Sequence, residues 1–252
     1  MLRSDPRPSR RRLAVIPAWN EALCIARVVA ELETLTDPLD VLVVDDGSTD
    51  DTARVARTAG AAVLRLPYNC GIGATVQAGI AWGLERDYRA MVRLDGDGQH
   101  DPSAVAALVA PIEAGEADFV LGSRYLERDG YQSTWARRLG SRWFSWLLRI
   151  VAGLRITDPT SGCWAGNARA LAVLRAEYSS DYPEVDSLVR LQRAGCRIAE
   201  RPVRMRPRGE GESSIDAIGA IYYMLKVTIA LLIGRVDRAQ GDPGAASDGT
   251  ER

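Results

Sequence analysis

The feature that most constrains this chain is a repeated alternation, in which short apolar runs rich in β-branched residues are each followed by a turn and then by apolar residues at helical spacing. Leu13 to Ile16 is the first run, stopped by Pro17, and Ile25, Val28, Val29, Leu32 and Leu35 then recur along one helix face. Val41 to Val44 is the second and ends in Asp45 and Asp46. Ser48 or Thr49 is placed to cap the helix that follows, and Gly60 to close it. Ala62 to Leu66, a loop from Pro67 to Gly73 and a helical stretch from Ala74 to Arg86 repeat the unit. Met91 to Leu94 predicts a fourth strand, Asp101 and Pro102 a further helix start, and Phe119 to Leu121, bounded by Gly122, a fifth strand. Such alternation predicts an α/β domain with a parallel sheet covered by helices, its ligands lying beyond the carboxyl ends of the strands. Asn20, Asp45, Asp46, Asp95 and Asp97 all fall at that edge.

At 252 residues and 46% hydrophobic, the chain can bury one sizeable core. A net charge of -1 leaves no overall positive field, so nucleic acid is not an expected partner. Cys24, Cys70, Cys163 and Cys196 are scattered without C-x-x-C spacing and no secretory signal precedes the first apolar run, which predicts neither disulfides nor structural zinc and a cytoplasmic setting. The expected organisation is a basic disordered leader at 1–12, a catalytic domain at 13–213, an apolar or amphipathic helix at 214–236 and a disordered tail at 237–252.

The sharpest chemical signal is Asp95-Gly96-Asp97-Gly98-Gln99. Two carboxylates two residues apart at a strand end can face one hard cation, and the glycines admit a diphosphate closely. Mg²⁺ or Mn²⁺ held there would neutralise charge on a departing nucleoside diphosphate. The same residue types also make ordinary solvated turns, so context has to decide. Asp45 and Asp46 precede a helix start, where a carboxylate can accept hydrogen bonds from a base or ribose, while Asp50 and Asp51 suit the helix start itself. After the first strand stands Pro17-Ala-Trp-Asn-Glu21 in place of G-x-G-x-x-G, which disfavours hydride transfer.

In order, Pro17 to Glu21, Val43 to Thr52, the loop with Asn69, Gly71 and Gly73, Asp95 to Gln99, and Gly122 to Tyr125 resemble the motifs of family-2 glycosyltransferases, nearest to the dolichol-phosphate or polyprenyl-phosphate sugar synthases, over roughly Leu13 to Ile233. The resemblance implies a GT-A fold: a Rossmann-like, mostly parallel sheet with helices on both faces, here with a C-terminal apolar helix. It further implies an inverting transfer from a nucleotide-diphosphate sugar of the GDP-mannose or UDP-glucose type. Pro17, Trp19, Glu21, Val44 and Asp46 would surround the nucleoside, with Trp19 standing where many relatives have Tyr. Asp95, Asp97 and Gln99 would hold the metal and diphosphate, Gly96 would give the close backbone approach, and Arg124, Arg206 and Arg208 would face phosphate. Ser213 and Ser214 follow in the family's serine position, behind an acidic GEGE stretch that departs from its pattern.

Two acceptors stay open. A polyprenyl phosphate is already an anion and needs alignment and charge neutralisation, whereas a saccharide hydroxyl needs a base, for which Asp158, Glu184 and Asp186 are candidates. Tyr182 to Asp186 suits either an acidic acceptor-side motif or a capped helix start. A third reading is a non-catalytic nucleotide-sugar scaffold. His100, the single histidine, is expected as a hydrogen bonder at the site and not as a metal ligand. The apolar stretch from Ile215 to Ile233 is short for a membrane span and interrupted by Lys226; with five arginines between Arg197 and Arg208, it suits a helix at the inner face of the membrane. Core packing, a homodimer contact or docking to a small integral membrane protein would use the same residues.

Overall fold

The computed structural model describes residues 12–127, 135–177, 183–206, 224 and 226–229. Among these, seven strands form one sheet: β1 (Arg12–Ala18), β2 (Asp40–Asp45), β3 (Ala62–Arg65), β4 (Ala90–Arg93), β5 (Phe119–Ser123), β6 (Trp164–Asn167) and β7 (Ile198–Pro202). Helices α1 (Ile25–Glu33), α2 (Thr52–Thr58), α3 (Ile72–Leu84), α4 (Ala104–Glu113), α5 (Trp135–Ala152), α6 (Ala168–Glu177) and α7 (Pro183–Arg193) connect and cover them. The order across the sheet is β3-β2-β1-β4-β6-β5-β7.

The first four strands are parallel, as the alternation predicts, and the period-two direction of strand side chains explains why helices cover both faces. Leu13, Val15, Leu42 and Val44 point into one core with Val76 and Ile80 of α3, while Ala14, Ile16, Val41 and Val43 point into a second core with α1 and α4. Each fully buried Leu, Ile or Val contributes about 1.5–3 kcal/mol. Strands buried on both faces therefore read as continuous apolar runs. α3 packs closely because it offers glycine to the sheet: a Cβ at Gly79 would stand 2.5 Å from a methyl of Val15.

Sequence and structure part in three places. Arg12, expected in the leader, opens β1 and is held by Glu113 at 2.6 Å and Asp37 at 3.3 Å. α2 begins at Thr52 rather than beside Ser48 or Thr49, and Asp50 accepts from the Thr52 N–H at 2.9 Å. The largest difference is β6, which enters antiparallel between β4 and β5. Trp164-Ala-Gly-Asn167 is too short and too weakly apolar to announce itself as a strand. Expectations for 1–11, Tyr182, Arg208, Ser213, Ser214 and most of 214–252 fall outside the described residues. No described helix is long and apolar enough to cross a membrane.

Asp118, just before β5, pins this second half of the sheet. Its carboxylate accepts from the backbone N–H of Arg197 at 2.8 Å, the Arg197 guanidinium at 3.1 and 3.2 Å, and the Asn167 amide at 2.9 Å. One side chain thus joins the starts of β5 and β7 to the end of β6. The Arg197 bonds hold the Asp118 carboxyl well below the usual carboxylate range, against the opposing effect of burial. A folded value below the unfolded one gives stabilisation that is complete above the unfolded pKa of about 3.9 and drains away as pH falls further. Asp118→Asn should therefore lower the unfolding free energy by about 2 kcal/mol near neutrality. The gap between variant and wild type, followed by urea denaturation, should close as pH drops below about 4.

Candidate functional site

The loops after β1, β2 and β3 are stitched together at the carboxyl edge of the sheet. Asn20 adopts φ 56°, donates its N–H to Ser48 Oγ at 2.9 Å and accepts from the Thr49 N–H at 2.9 Å. The Glu21 N–H donates to Thr52 Oγ1 at 2.8 Å. Ser48 thus serves the neighbouring loop and not the helix start. Gly47, at φ +66°, passes beneath the third loop so closely that a Cβ there would stand 2.5 Å from the Tyr68 carbonyl carbon. Asp46 is buried and accepts from the N–H groups of Cys70 at 2.7 Å and Gly71 at 2.9 Å, so it ties the third loop to the end of β2 from within. Buried Asp45 accepts from the Ser48 N–H at 3.1 Å and faces Arg65 at 3.2 Å. Val44 is expected beside a nucleoside, but its side chain lies in the core against α3; only its backbone can line the edge. Trp19 and Tyr68 are 53% and 69% exposed, two aromatic faces open to a base at this edge.

At the end of β4, Gly96 passes Pro17 and Glu21, where a Cβ would meet the Pro17 carbonyl at 3.3 Å. Asp97 is buried and accepts the Gln99 N–H at 3.0 Å. Gln99 donates its side-chain amide to the Arg206 carbonyl at 3.3 Å, which leaves the amide oxygen as its acceptor end. Asp95 takes Arg93 on one oxygen at 3.3 Å and His100 on the other at 3.1 Å. Burial alone would raise the Asp95 carboxyl, yet the His100 hydrogen bond and the charges of Arg93, His100 and Arg124 outweigh it and hold the group well below the ordinary carboxylate range. Burial likewise opposes charge on His100, but Cys163 and Asp95 push the imidazole up to about 10. His100 is a hydrogen bonder to Asp95, the role expected of it.

In the second half of the sheet, Arg124 follows β5 and is clamped by Asp158 through two bonds of 2.6 and 2.7 Å, with Thr160 Oγ1 accepting at 3.1 Å. Asp158 has no exposed surface. Glu200 of β7 orders its loop by accepting from the N–H groups of Thr157 and Asp158. Glu184 meets Arg93 at 3.2 Å and Asp186 meets Arg190 at 2.5 Å. All three carboxylates considered as bases are therefore engaged with arginines. Arg206, expected to face phosphate, is turned to Glu31 at 2.8 Å and Asp101 at 3.7 Å. Sequence reasoning missed Arg93, Thr160, Tyr68 and the Cys70 and Gly71 N–H groups. Arg93 alone carried a signal, a charge inside an apolar run.

The donor set suits a hard divalent cation that arrives with its substrate. Among the described residues no group of three or more His, Cys, Asp or Glu could hold a metal alone. Two carboxylates and an amide oxygen leave coordination positions for phosphate oxygens and water, the usual arrangement for Mg²⁺ and its relatives. Asp95, its carboxyl held below the ordinary range, would supply the anionic oxygen such an ion prefers.

Comparison with known proteins agrees with this geometry. The sequence pattern of the family described as Glycosyl transferase family 2 matches residues 13–175. The chain is 32% identical to a polyprenol monophosphomannose synthase of Mycolicibacterium smegmatis, over 93% of this chain and 92% of that protein. It is 36% identical to an undecaprenyl-phosphate mannosyltransferase of Micrococcus luteus, over 82% and 88%. Among solved structures, glucosyl-3-phosphoglycerate synthase from Mycobacterium tuberculosis, crystallised with Mn²⁺, uridine diphosphate and glucosyl-3-phosphoglycerate, superposes with a TM-score of 0.69 at 25% identity, covering 90% of this chain and 80% of that one.

The clamp on Arg124 generates a direct test. Asp158→Asn should lower the unfolding free energy by about 3 kcal/mol, because it strands a largely buried guanidinium. A loss under about 1 kcal/mol in urea denaturation would mean that Asp158 is not what holds Arg124.

Proposed function

The chain belongs to glycosyl transferase family 2 and is a glycosyltransferase with the GT-A fold, and from that premise we propose that it moves a hexose from a nucleotide-diphosphate sugar to a polyprenyl phosphate at the inner face of a membrane. The observation that carries the choice of acceptor is the pairing of every candidate base with an arginine: Asp158 with Arg124, Glu184 with Arg93 and Asp186 with Arg190. An acceptor hydroxyl would need one of those carboxylates to take its proton, whereas an acceptor phosphate needs alignment and positive charge. The names of the two mannosyl-transferring relatives support the same reading.

In this mechanism the nucleoside lies over the stitched loops, with Trp19 or Tyr68 against the base and the backbone of Pro17 and Val44 along its edge. Asp95, Asp97 and Gln99 would hold Mg²⁺ or Mn²⁺, which supplies charge neutralisation at the departing diphosphate. Gly96 lets that diphosphate approach the backbone. Arg124, fixed by Asp158 and Thr160, presents its guanidinium toward the reacting phosphate, close enough to Asp95 to lower its pKa. The acceptor oxygen attacks the anomeric carbon opposite the leaving group, in one displacement with inversion.

Helix α5 supports the membrane setting. Phe144, Leu147 and Leu148 are buried beneath it, while Leu139, Trp143, Trp146 and Ile150 form an exposed stripe at spacings of four, three and four residues. The stripe is accompanied by Arg138, Arg142 and Arg149, and no Asp or Glu occurs between 135 and 152. An apolar stripe with Trp at its centre and cations beside it suits an anionic lipid surface. The C-terminal segment reaches the same helix, with Trp143 Nε1 donating to Thr228 Oγ1 at 3.1 Å. The sequence expectation centred on 214–236 thus extends to α5.

A second reading, transfer to a water-soluble phosphorylated acid, is favoured by the likeness to glucosyl-3-phosphoglycerate synthase. A donor panel with Mn²⁺ or Mg²⁺, polyprenyl phosphate and phosphoglyceric acid separates the two. Metal-dependent label partitioning into organic solvent, reduced at least about 100-fold by Asp97→Ala, is the expected result. Label confined to the aqueous phase would replace it with the second reading. Sedimentation with phosphatidylglycerol vesicles should likewise be strong for the wild type and weak for Trp143→Ser/Trp146→Ser. Equal binding by both would move the membrane contact elsewhere.

A further inference from the structure

Arg93, the last residue of β4, is 4% exposed although it carries a full charge at the end of an otherwise apolar strand. Leaving a guanidinium in the interior is costly unless its N–H groups are met by acceptors. Here two carboxylates from opposite halves of the site meet it: Asp95 Oδ1 lies 3.3 Å from Nη2, and Glu184 Oε1 lies 3.2 Å from Nη1. Asp95 follows two residues after the end of β4, near enough in the chain for Arg93 to reach its carboxylate. Glu184 occupies the first turn of α7, where the helix dipole favours a negative charge.

The Arg93 end of the contact is closed over. A Cβ on Gly162 would stand 3.1 Å from Arg93 Nη2 and 3.0 and 3.1 Å from the two Asp95 oxygens, so the backbone at Gly162 passes tightly over the pair and any side chain there would press on both. Behind Glu184 is a small cavity of about 10 Å³, room for about one water, lined by the apolar side chains of Phe119, Leu121, Trp164, Leu174 and Leu188. A base must touch its acceptor, and a largely apolar recess beneath α7 offers an acceptor hydroxyl no polar lining beyond Ser161, Ser187 and Glu184 itself. With His100 on the other oxygen, Asp95 is gripped at both ends of its carboxylate.

We propose that Glu184 and Arg93 are positioning residues of the donor site, Glu184 orienting Arg93 and Arg93 orienting the Asp95 carboxylate for the metal and diphosphate, so that a helix on the acceptor side sets the geometry of the cation site. This rests on the reading of Asp95 and Asp97 as the metal-binding pair. Glu184, a candidate base from the sequence, becomes a support for Arg93. Outer partners of this kind set how well a ligand carboxylate is aimed, and losing one weakens metal binding by about 10–100-fold.

The test is calorimetric titration of Mn²⁺ into the full chain with uridine or guanosine diphosphate present, alongside the pH profile of the reaction. Glu184→Gln should weaken Mn²⁺ binding about 10-fold, with the shape of the pH profile unchanged. Glu184→Asp, which keeps the charge, should recover part of the loss. Unchanged Mn²⁺ affinity would overturn the proposal, whether the variant has lost a limb of its pH profile, as a base would, or only thermal stability, as an architectural ion pair would. Should Glu184→Gln fail to fold, Arg93→Lys replaces it: an ammonium cannot span both carboxylates, so Mn²⁺ binding should weaken similarly, and unchanged affinity again overturns the assignment. Asp97→Ala separates the two layers, because retained Mn²⁺ binding in that variant would remove the metal-site reading itself.

Discussion

Crowding of negative charge at one edge of the sheet is the constraint on which the rest of this structure depends. Asp45, Asp46, Asp97 and Asp158 are buried there and Asp95 is 36% exposed, so each requires its own hydrogen-bond donors. The loops supply them. Asp46 is met by two consecutive N–H groups, Asp158 by a guanidinium fork, and Asp95 by Arg93 and His100. Irregular segments that would otherwise be free to wander are thereby given single conformations by the demands of the carboxylates. The site is built by satisfying charge before any substrate arrives.

The donor half was legible because its signals are local. Four apolar runs, each ending in a polar residue, specify parallel strands and the edge at which Asn20, Asp46, Asp95 and Asp97 gather. The roles of those residues were less legible. Val44 belongs to the core, Ser48 serves a neighbouring loop and Arg206 turns to Glu31, each for a reason that lies far away in sequence. A contact such as Arg93 with Glu184 leaves no periodic trace, since nothing within either segment encodes the other. The fold was readable from period and punctuation, whereas partner choice among charged side chains was not.

The acceptor half differs in kind. Its loops are tied by the Arg124–Asp158 pair as well as by backbone N–H groups given to Glu200, and its long helix α5 keeps Trp143 and Trp146 in contact at the surface, 5.2 Å between ring centroids. One half gathers carboxylates at the carboxyl edge of the sheet, the other sets cationic charge beside an apolar face. The fold alone would allow many acceptors; arginines and exposed tryptophans narrow the choice.

The antiparallel insertion of β6 also dictates an order of assembly. Among the described residues β5 pairs only with β6 and β7, both of which follow it in the chain, whereas β1 to β4 already pair with one another before β6 joins β4. During synthesis the first four strands can therefore come together while β5, with its run of Phe119, Val120 and Leu121, waits without a partner until residue 167 has emerged. Closing that long loop is slow in comparison with local pairing, and an apolar strand left waiting is a site for wrong association. The residues that complete the acceptor half are thus the last to be secured, which makes the waiting interval, rather than final stability, the vulnerable stage in the life of this enzyme.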